Sequence, residues 1–410
     1  MRNKAIRRRW GLWGLAVTLA VALLMGACGP TEPSTSGSGN TVVEIGNLTP
    51  LTGAAGTAEQ PCFQGIYDYC QWFNEKNGIP GVTIDALWYD HGRETPKFIS
   101  GYQRFRQRNV PLYFSNDTPS LEALKAQFDK NQTPFLTGTA MGNMVYPPGW
   151  IYTPWVTFDE AAVAVMDYFM QNWKEDRPPK MVFMALDSTF GREPAERGAK
   201  YAESVGYEVL PLEVVPYIVL DATTQLIRIN EEGADLAYIQ AIVSAAGPIM
   251  KDVERLDLLD EIQFSGTEYA TGGAMIEQVG AAGMEGFLFP KLTPWFNDTE
   301  VPGIRDVIDM SEKYHGKLIE RQEYLAGYVY GVVMCEVIKR AGEEVGFENI
   351  DGAACGRAYQ SLKDFDVDGL VTITYGPDRR RGSRNAACYE YQNGEIVRLT
   401  DWEEMPILIP

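Results

Sequence analysis

The chain has 410 residues, of which 45% are hydrophobic and 22% are charged, and its formal net charge is −19. This length favours two domains, and this composition excludes an intrinsically disordered chain and a multi-span membrane protein. An acidic chain without a basic, aromatic-rich stripe repels nucleic acid phosphates, so nucleic acid is not an expected partner.

Residues 1–27 have the pattern of an export signal, because five basic residues precede the apolar run Gly11–Leu24. The segment ends in Leu24-Met25-Gly26-Ala27-Cys28, which resembles the lipobox of bacterial lipoproteins and predicts lipidation of Cys28. The alternative is an uncleaved anchor helix, since about 17 apolar residues nearly span a bilayer. The pattern does not distinguish general export from twin-arginine export. Loss of the five basic residues takes the net charge to about −24.

Residues 28–40 form a segment rich in Gly, Ser, Pro and Thr, with no apolar side chain to bury after Cys28. Such a composition is typical of a flexible tether. Together with a lipid on Cys28, it predicts a folded body held close to a membrane on the extracytoplasmic side.

The stretch Val42–Gly65 predicts a strand, a polar loop and a helix. Val42, Val43 and Ile45 form a buried-strand pattern, and Pro61 suits the first position of a helix. Further strands are predicted at Val82–Asp90, Pro111–Asn116 and Pro134–Gly138, with helices between them. This alternation indicates a parallel sheet covered by helices.

A second α/β set follows the segment Tyr146–Trp155, which is rich in Pro, Gly and aromatic residues and marks a boundary between lobes. A clear amphipathic helix is predicted at Asp159–Trp173. Later helices are predicted at Arg192–Val205, Ala222–Glu232, Pro248–Leu258 and Gly273–Val279, and strands at Lys180–Leu186, Tyr207–Val214, Ala234–Val243, Glu261–Gly266 and Gly283–Pro290. Two such sets predict two doubly wound lobes.

Helical patterns then return at Val301–Tyr314, Tyr324–Ala341 and Asp351–Lys363, before short strands at Gly369–Tyr375, Asn385–Gln392 and Glu395–Leu399. The chain is therefore expected to cross back between lobes through a multi-strand hinge. We assign residues 41–155 and 290–370 to lobe 1 and residues 156–289 to lobe 2. Residues 371–410 are assigned to the hinge crossing and to strands that pack on lobe 2.

Few residues suit catalysis or metal binding. The only histidines are His91 and His315, and there is no Cys-x-x-Cys pair, so no catalytic residue, metal or cofactor is expected. The glycine-rich segment at Gly280 precedes a strand, which favours a helix-terminating turn over a phosphate loop. Five cysteines remain besides Cys28, and the pairings Cys335–Cys355 and Cys355–Cys388 stay open.

Several loops follow predicted strands and should converge on one crevice at the carboxyl ends of the sheets. They are Thr49–Gln60, Ser115–Ser120, Thr137–Asn143, Asp187–Gly191 and Gly266–Thr271. Their hydroxyls, free N–H groups and adjoining helix N-termini suit a carboxylate, although a helix cap is the commoner use of Ser and Thr there. Glu268, in the last of these loops, could equally neutralise a ligand ammonium or be a surface carboxylate.

Five motifs carry a resemblance to a known family. They are IGNLTPLTG with FQGIYDY, WFNEKNGIPG, LWYDHGRETPKF, MALDSTFGRE, and FSGTEYATGG leading to GAAGMEGFLFP. Over about residues 41–400 the chain resembles the type I periplasmic solute-binding proteins of ABC transporters, specifically the leucine/isoleucine/valine-binding type in its lipoprotein form.

The resemblance implies two Rossmann-like lobes that close around an amino acid. Thr118 and Thr139 match the hydroxyl positions that bind the ligand carboxylate, and Glu268 matches the acidic residue that binds its ammonium. Phe190 stands where a cleft Tyr is frequent. Ala58 stands where an aromatic lid residue is usual, which implies a roomier pocket.

These observations predict an extracytoplasmic binding component that captures an amino acid or a related small polar compound and delivers it to a membrane permease. The resemblance leaves the ligand open, because relatives also bind urea, amides and aromatic acids. Two alternatives stay open: a ligand-sensing receptor that feeds a regulator, and a hydrolase that acts through paired carboxylates.

Overall fold

Parallel strands covered by helices build the fold. The computed structural model describes residues 40–52 and 56–409, except for the side chains of residues 57 and 58. The predicted export signal, the lipidation site Cys28 and almost all of the predicted tether lie outside these residues.

The first sheet contains five parallel strands of the described residues, in the order β2-β1-β3-β4-β5. These strands are β1 (Thr41–Thr49), β2 (Val82–Asp90), β3 (Tyr113–Phe114), β4 (Phe135–Leu136) and β5 (Ile151–Tyr152). The intervening helices are α1 (Gly56–Glu75), α2 (Thr95–Gln107), α3 (Thr118–Asn131) and α4 (Gly142–Val145). The long β1 and β2 pair from Thr41–Val82 to Thr49–Asp90, which brings the two loops that follow these strands to the same sheet edge.

A second sheet begins after α5 (Phe158–Asn172). Its strands are β6 (Lys180–Leu186), β7 (Glu208–Val209), β8 (Glu213–Val215), β9 (Leu236–Gln240), β10 (Gln263–Gly266) and β11 (Leu288–Lys291), all parallel to their neighbours in this set. The helices are α6 (Thr189–Ser204), α7 (Thr223–Glu231), α8 (Val243–Arg255), α9 (Gly273–Val279) and α10 (Ala281–Met284).

The C-terminal part contributes to both halves. The helices α11 (Pro302–His315), α12 (Gln322–Val345) and α13 (Gly352–Ser361) join the first half, since α11 and α12 pack on α1 and α13 packs on α12. A small hairpin pairs β12 (Phe365–Val367) with β13 (Val371–Ile373). The strands β14 (Asn385–Gln392), β15 (Glu395–Arg398) and β16 (Glu403–Glu404) extend the second sheet, and β14 runs antiparallel to β11. The α/β prediction is confirmed, and the assigned lobe boundaries stay predictions.

Helices α1 and α12 pack unusually closely because glycines line their contact. A Cβ atom on Gly65 would lie 2.4 Å from the Tyr324 carbonyl oxygen, and one on Gly327 would lie 2.2 Å from the Cys62 carbonyl oxygen. Both distances are shorter than van der Waals contact, so only glycine permits this approach. Gly65 and Cys62 of α1 meet Tyr324 and Gly327 near the start of α12, so the middle of α1 contacts the first turns of α12.

Four local predictions were wrong. The strand predicted at Gly283–Pro290 begins only at Leu288, because the helix α10 includes Gly283 and Met284. Pro61 lies inside α1, five residues after its first residue, whereas a helix start was predicted there. Likewise, α8 begins at Val243 and contains Pro248, so the strand predicted to reach Val243 ends earlier, at Gln240. The strand predicted at Tyr207–Val214 is split into β7 and β8. A proline removes one helix N–H group, and packing of the rest of the helix compensates for that loss.

The five cysteines of the described residues are free and buried. No disulfide therefore holds this part of the chain together. Gly280 ends α9 with φ of 93°, as expected of a helix-terminating turn. None of the helices in the described ranges is sufficiently long and apolar to span a bilayer.

Candidate functional site

A cavity of about 300 Å³ lies between the two sheets, at the carboxyl ends of their strands. Each of the five loops predicted to converge contributes a lining residue, namely Glu59, Thr118, Thr139, Phe190 and Tyr269. Helices α3, α6, α8 and α12 begin at or near this cavity, so their partly positive N-termini surround it. A concave site lined by convergent polar groups and aromatic rings is suited to a small ligand.

Hydroxyl and amide groups form the wall contributed by the first sheet. The Thr118 hydroxyl donates to Thr139 Oγ1 at 3.4 Å, and the Thr139 hydroxyl lies 3.2 Å from the carbonyl oxygen of Asn116. The Asn116 side chain accepts a hydrogen bond from Gly138 N at 2.7 Å and donates to Glu59 Oε2 at 3.3 Å. These groups can rearrange to donate to a ligand oxygen, because each hydroxyl can rotate.

Aromatic side chains form the opposite wall. The ring of Phe158 packs edge-to-face against Phe190 at 5.2 Å and against Tyr269 at 5.8 Å between centroids. Ile242 and Val243 extend this apolar surface. The sequence-predicted residue Phe190 therefore lies in a wall that suits the apolar body of a ligand.

Direct contacts connect the two walls. The Tyr269 hydroxyl lies 3.4 Å from the Gly138 carbonyl oxygen, and Asn143 N donates to Glu193 Oε1 at 3.0 Å. The Arg93 guanidinium lies 5.3 Å from the ring centroid of Tyr217, a residue of the loop after β8. The structure thus has a closed cleft in which the loops after β2 and β8 meet.

Buried phenols in the cavity act as neutral hydrogen-bonding groups. Burial holds the pKa of Tyr269 and of Tyr330 well above the usual value. The Tyr330 hydroxyl accepts a hydrogen bond from Trp155 Nε1 at 2.7 Å. Both phenols therefore stay protonated at neutral pH and can bind a polar ligand atom without adding charge.

Two acidic and two basic side chains also line the cavity: Glu59, Glu323, Arg93 and Arg321. Burial raises the pKa of Glu59 to about 7, although Arg93 and the hydrogen bond from Asn116 oppose this shift. Arg321 Nε donates to Glu323 Oε2 at 3.2 Å. The cavity therefore contains both charge signs, as recognition of a zwitterion requires.

The structure does not bring Glu268 to the cavity surface. The residue is 3% exposed, lies beside the lining residue Tyr269, and is absent from the described residues that line the cavity. Burial raises the pKa of Glu268 and lowers that of Lys291, and the attraction between the two side chains opposes both shifts. The expected ammonium-binding role of Glu268 stays a prediction, but its position does not support it.

Ala58 lies in the first turn of α1, and its side chain is outside the described residues. The proposed effect of a missing aromatic lid therefore stays a prediction. Its neighbour Glu59 lines the cavity.

Sequence reasoning missed several lining residues for identifiable reasons. Arg93 follows β2, so the rule for the carboxyl ends of strands would have found it. Arg321, Glu323 and Tyr330 lie at the start of α12 or within it, far along the chain from both sheets. Their position depends on the close packing of α12 on α1, for which the Gly327/Gly331 spacing is the only local indication.

Comparison with known proteins gives a family match over most of the chain. The sequence profile of a family described as "Periplasmic binding protein" matches residues 42–395. A search of curated proteins gave no significant match.

Solved structures of similar fold cover nearly the whole chain. A branched-chain amino acid ABC transporter protein from Thermus thermophilus, with bound valine, has a TM-score of 0.81 and 24% identity, over 90% of this chain and 98% of that one. A fatty acid ABC transporter substrate-binding protein from Thermomonospora curvata has a TM-score of 0.77 and 17% identity, over 90% and 96%. A leucine-binding protein from Thermotoga maritima has a TM-score of 0.73 and 16% identity, over 87% and 98%. At these identities the likeness shows the fold.

Proposed function

The chain belongs to the periplasmic binding protein family, and we propose that it is the extracytoplasmic solute-binding component of an ABC importer. Family membership makes it a binding protein rather than an enzyme. In this proposal the chain captures an amino acid or a related small polar compound and presents it to a membrane permease.

The observation that carries the proposal is the cavity between the two sheets. Its first wall offers the hydroxyls of Thr118 and Thr139, and its second wall offers the rings of Phe158 and Phe190. A ligand that contacts both walls favours the closed form, because closure is driven by the difference in ligand affinity between the two forms. Micromolar binding requires only about 8 kcal/mol, which a few charge-assisted hydrogen bonds and aromatic burial supply.

A thermal-shift screen of amino acids, short amides, urea, carboxylic acids and fatty acids tests this proposal on the protein without its export signal. A ligand at 100 times its Kd should add about 2.7 kcal/mol of stability, which raises the unfolding midpoint measurably. Stabilisation by at least one compound, with Phe190→Ala reducing the shift, supports the proposal. A screen in which no compound raises the midpoint contradicts it.

We also propose that a lipid on Cys28 anchors the protein at the outer face of a membrane, with residues 29–40 as the tether. The basis is the sequence pattern alone. The wild-type protein should incorporate labelled fatty acid, and replacement of Cys28 by Ser should abolish this incorporation. A wild-type protein that incorporates no fatty acid would favour an uncleaved anchor helix instead.

A further inference from the structure

We propose that the ligand is a zwitterion and that Glu59, not Glu268, binds its ammonium group. Both charged groups of the ligand would then contact the wall of the first sheet, and the second sheet would contribute mainly apolar contacts. This inference rests on the proposed solute-binding function and specifies the ligand class of the same cavity.

Glu59 has the position that an ammonium partner needs. In an α-amino acid the two charged groups are attached to one carbon, so their protein partners must be close neighbours. One residue, Asn116, connects Glu59 to the hydroxyl pair: its amide nitrogen lies 3.3 Å from Glu59 Oε2, and its carbonyl oxygen lies 3.2 Å from Thr139 Oγ1. Thr118 Oγ1 lies 3.4 Å from Thr139 Oγ1. The carboxylate and ammonium positions are therefore adjacent in this wall.

The charge of Glu59 is only partly compensated within the protein. The cation that acts on Glu59 is Arg93, whose Nε also lies 3.6 Å from the buried Asp117 carboxylate. The other acidic residue of the cavity, Glu323, has its own partner in Arg321. A ligand ammonium would supply the missing positive charge beside Glu59, where a partly buried carboxylate gains most from a counter-ion.

A buried cation of the protein, Lys291, already acts on Glu268. Lys291 is fully buried beside it, donates a hydrogen bond to Gln322 Oε1, and lies 4.4 Å from the ring centroid of Trp295. A ligand ammonium at Glu268 would be repelled by this lysine, because like charges repel each other. Glu268 Oε2 is buried without a hydrogen-bond partner among the described residues, but Glu268 does not line the cavity, whereas Glu59 does.

Compensation of the helix dipole is the alternative role for Glu59, because the residue lies near the start of α1. That role would direct the carboxylate towards the N–H groups of its own helix. Glu59 Oε2 instead accepts from Asn116 of the loop after β3, and the residue lines the cavity. The geometry thus favours ligand binding.

Matched ligands test the inference on the wild-type protein. Each amino acid that stabilises the protein is compared by calorimetry with its deaminated acid, for example L-phenylalanine with 3-phenylpropionate and L-leucine with 4-methylpentanoate. We expect the deaminated acid to bind at least tenfold more weakly. Equal binding of the two compounds, or a neutral amide as the only ligand, would overturn the inference while the solute-binding function stands. No binding by any compound would overturn both.

Variants then identify the acidic partner. Glu59→Gln should weaken amino acid binding at least tenfold and leave the weak binding of the deaminated acid unchanged. Because the pKa of Glu59 is raised to about 7, wild-type affinity for the amino acid should rise from pH 6 to pH 8, and this rise should disappear in Glu59→Gln. Glu196→Gln, an exposed change on α6, is the control. Loss of binding in Glu268→Gln but not in Glu59→Gln would overturn the assignment.

Discussion

Buried carboxylates with incomplete compensation lie at the cavity and also at the start of α5. Asp159 is 1% exposed and lies next to Glu160, which is 1% exposed and paired with Arg381. Burial, and then the charge of Glu160, raises the pKa of Asp159 to about 7. At the scale of the residue, carboxyl groups at both places are therefore buried in positions that disfavour their ionised form.

Replacement of Asp159 by Asn should stabilise the protein at pH 8. The folded state binds the Asp159 proton up to about pH 7, whereas the unfolded state loses it near the ordinary pKa of 3.8, so this group lowers stability as pH rises between those values. Removal of the charge should add roughly 1–2 kcal/mol at pH 8, since the buried amide offsets part of the gain. Urea unfolding at pH 8 and pH 5 measures the effect.

The gain should shrink at pH 5, where folded Asp159 is already protonated. Glu196→Gln, on the exposed face of α6, should leave stability unchanged at both pH values. An equal effect of Asp159→Asn at pH 5 and pH 8 would show that the proton is not responsible.

Residues within short sequence motifs could be found from the sequence, and residues placed by tertiary packing could not. Thr118, Thr139 and Phe190 follow predicted strands, and all three line the cavity. Glu268 also follows a strand, but its side chain is buried and does not line the cavity. A position after a strand thus indicates the sheet edge and not the direction of the side chain.

At the scale of elements, the contact between α1 and α12 positions one part of the cavity wall. It brings Glu59 of α1 and Glu323 of α12 to the same space, where the charge of each acts on the buried Cys62 thiol. Glycines at Gly65 and Gly327 make this approach possible. The packing of two helices therefore determines the electrostatics of the site.

Gly327→Ala should destabilise the protein by roughly 1–3 kcal/mol, because its Cβ would lie 2.2 Å from the Cys62 carbonyl oxygen and the helices would have to separate. Urea unfolding measures this change. Gly247→Ala in α8 is the control, since its Cβ would meet the end of the Gln278 side chain, which can move away. We expect a smaller loss there. A larger loss in Gly247→Ala would contradict the close backbone contact.

Most long elements could be predicted from the sequence, and their ends were the main errors. β2, β6, α9 and β14 have the predicted bounds. The helices begin at Gly56 and Val243, ahead of Pro61 and Pro248, because a proline fits inside the first turns of a helix as well as at its first residue. The two-residue strand β5 belongs to the sheet because it pairs with β4, and no local sequence pattern predicts it.

At the scale of the whole molecule, the chain order of two α/β sets predicted two sheets, and the returning helices predicted that the chain crosses back. Helices α11–α13 do join the first half, and β14–β16 join the second sheet. Short connections and parallel pairing leave few alternatives, so this topology follows from element order. The identity of the ligand does not follow from the topology, because ligand specificity depends on side chains from distant segments.

Titration calorimetry of the signal-free protein with the compound that stabilises it most is the most direct measurement of solute capture between the two sheets. We predict one ligand per chain, a loss of affinity in Phe190→Ala, and recovery of the compound chemically unchanged. Absence of binding heat, or conversion of the compound to a product, would contradict a binding protein that captures its solute in this cavity.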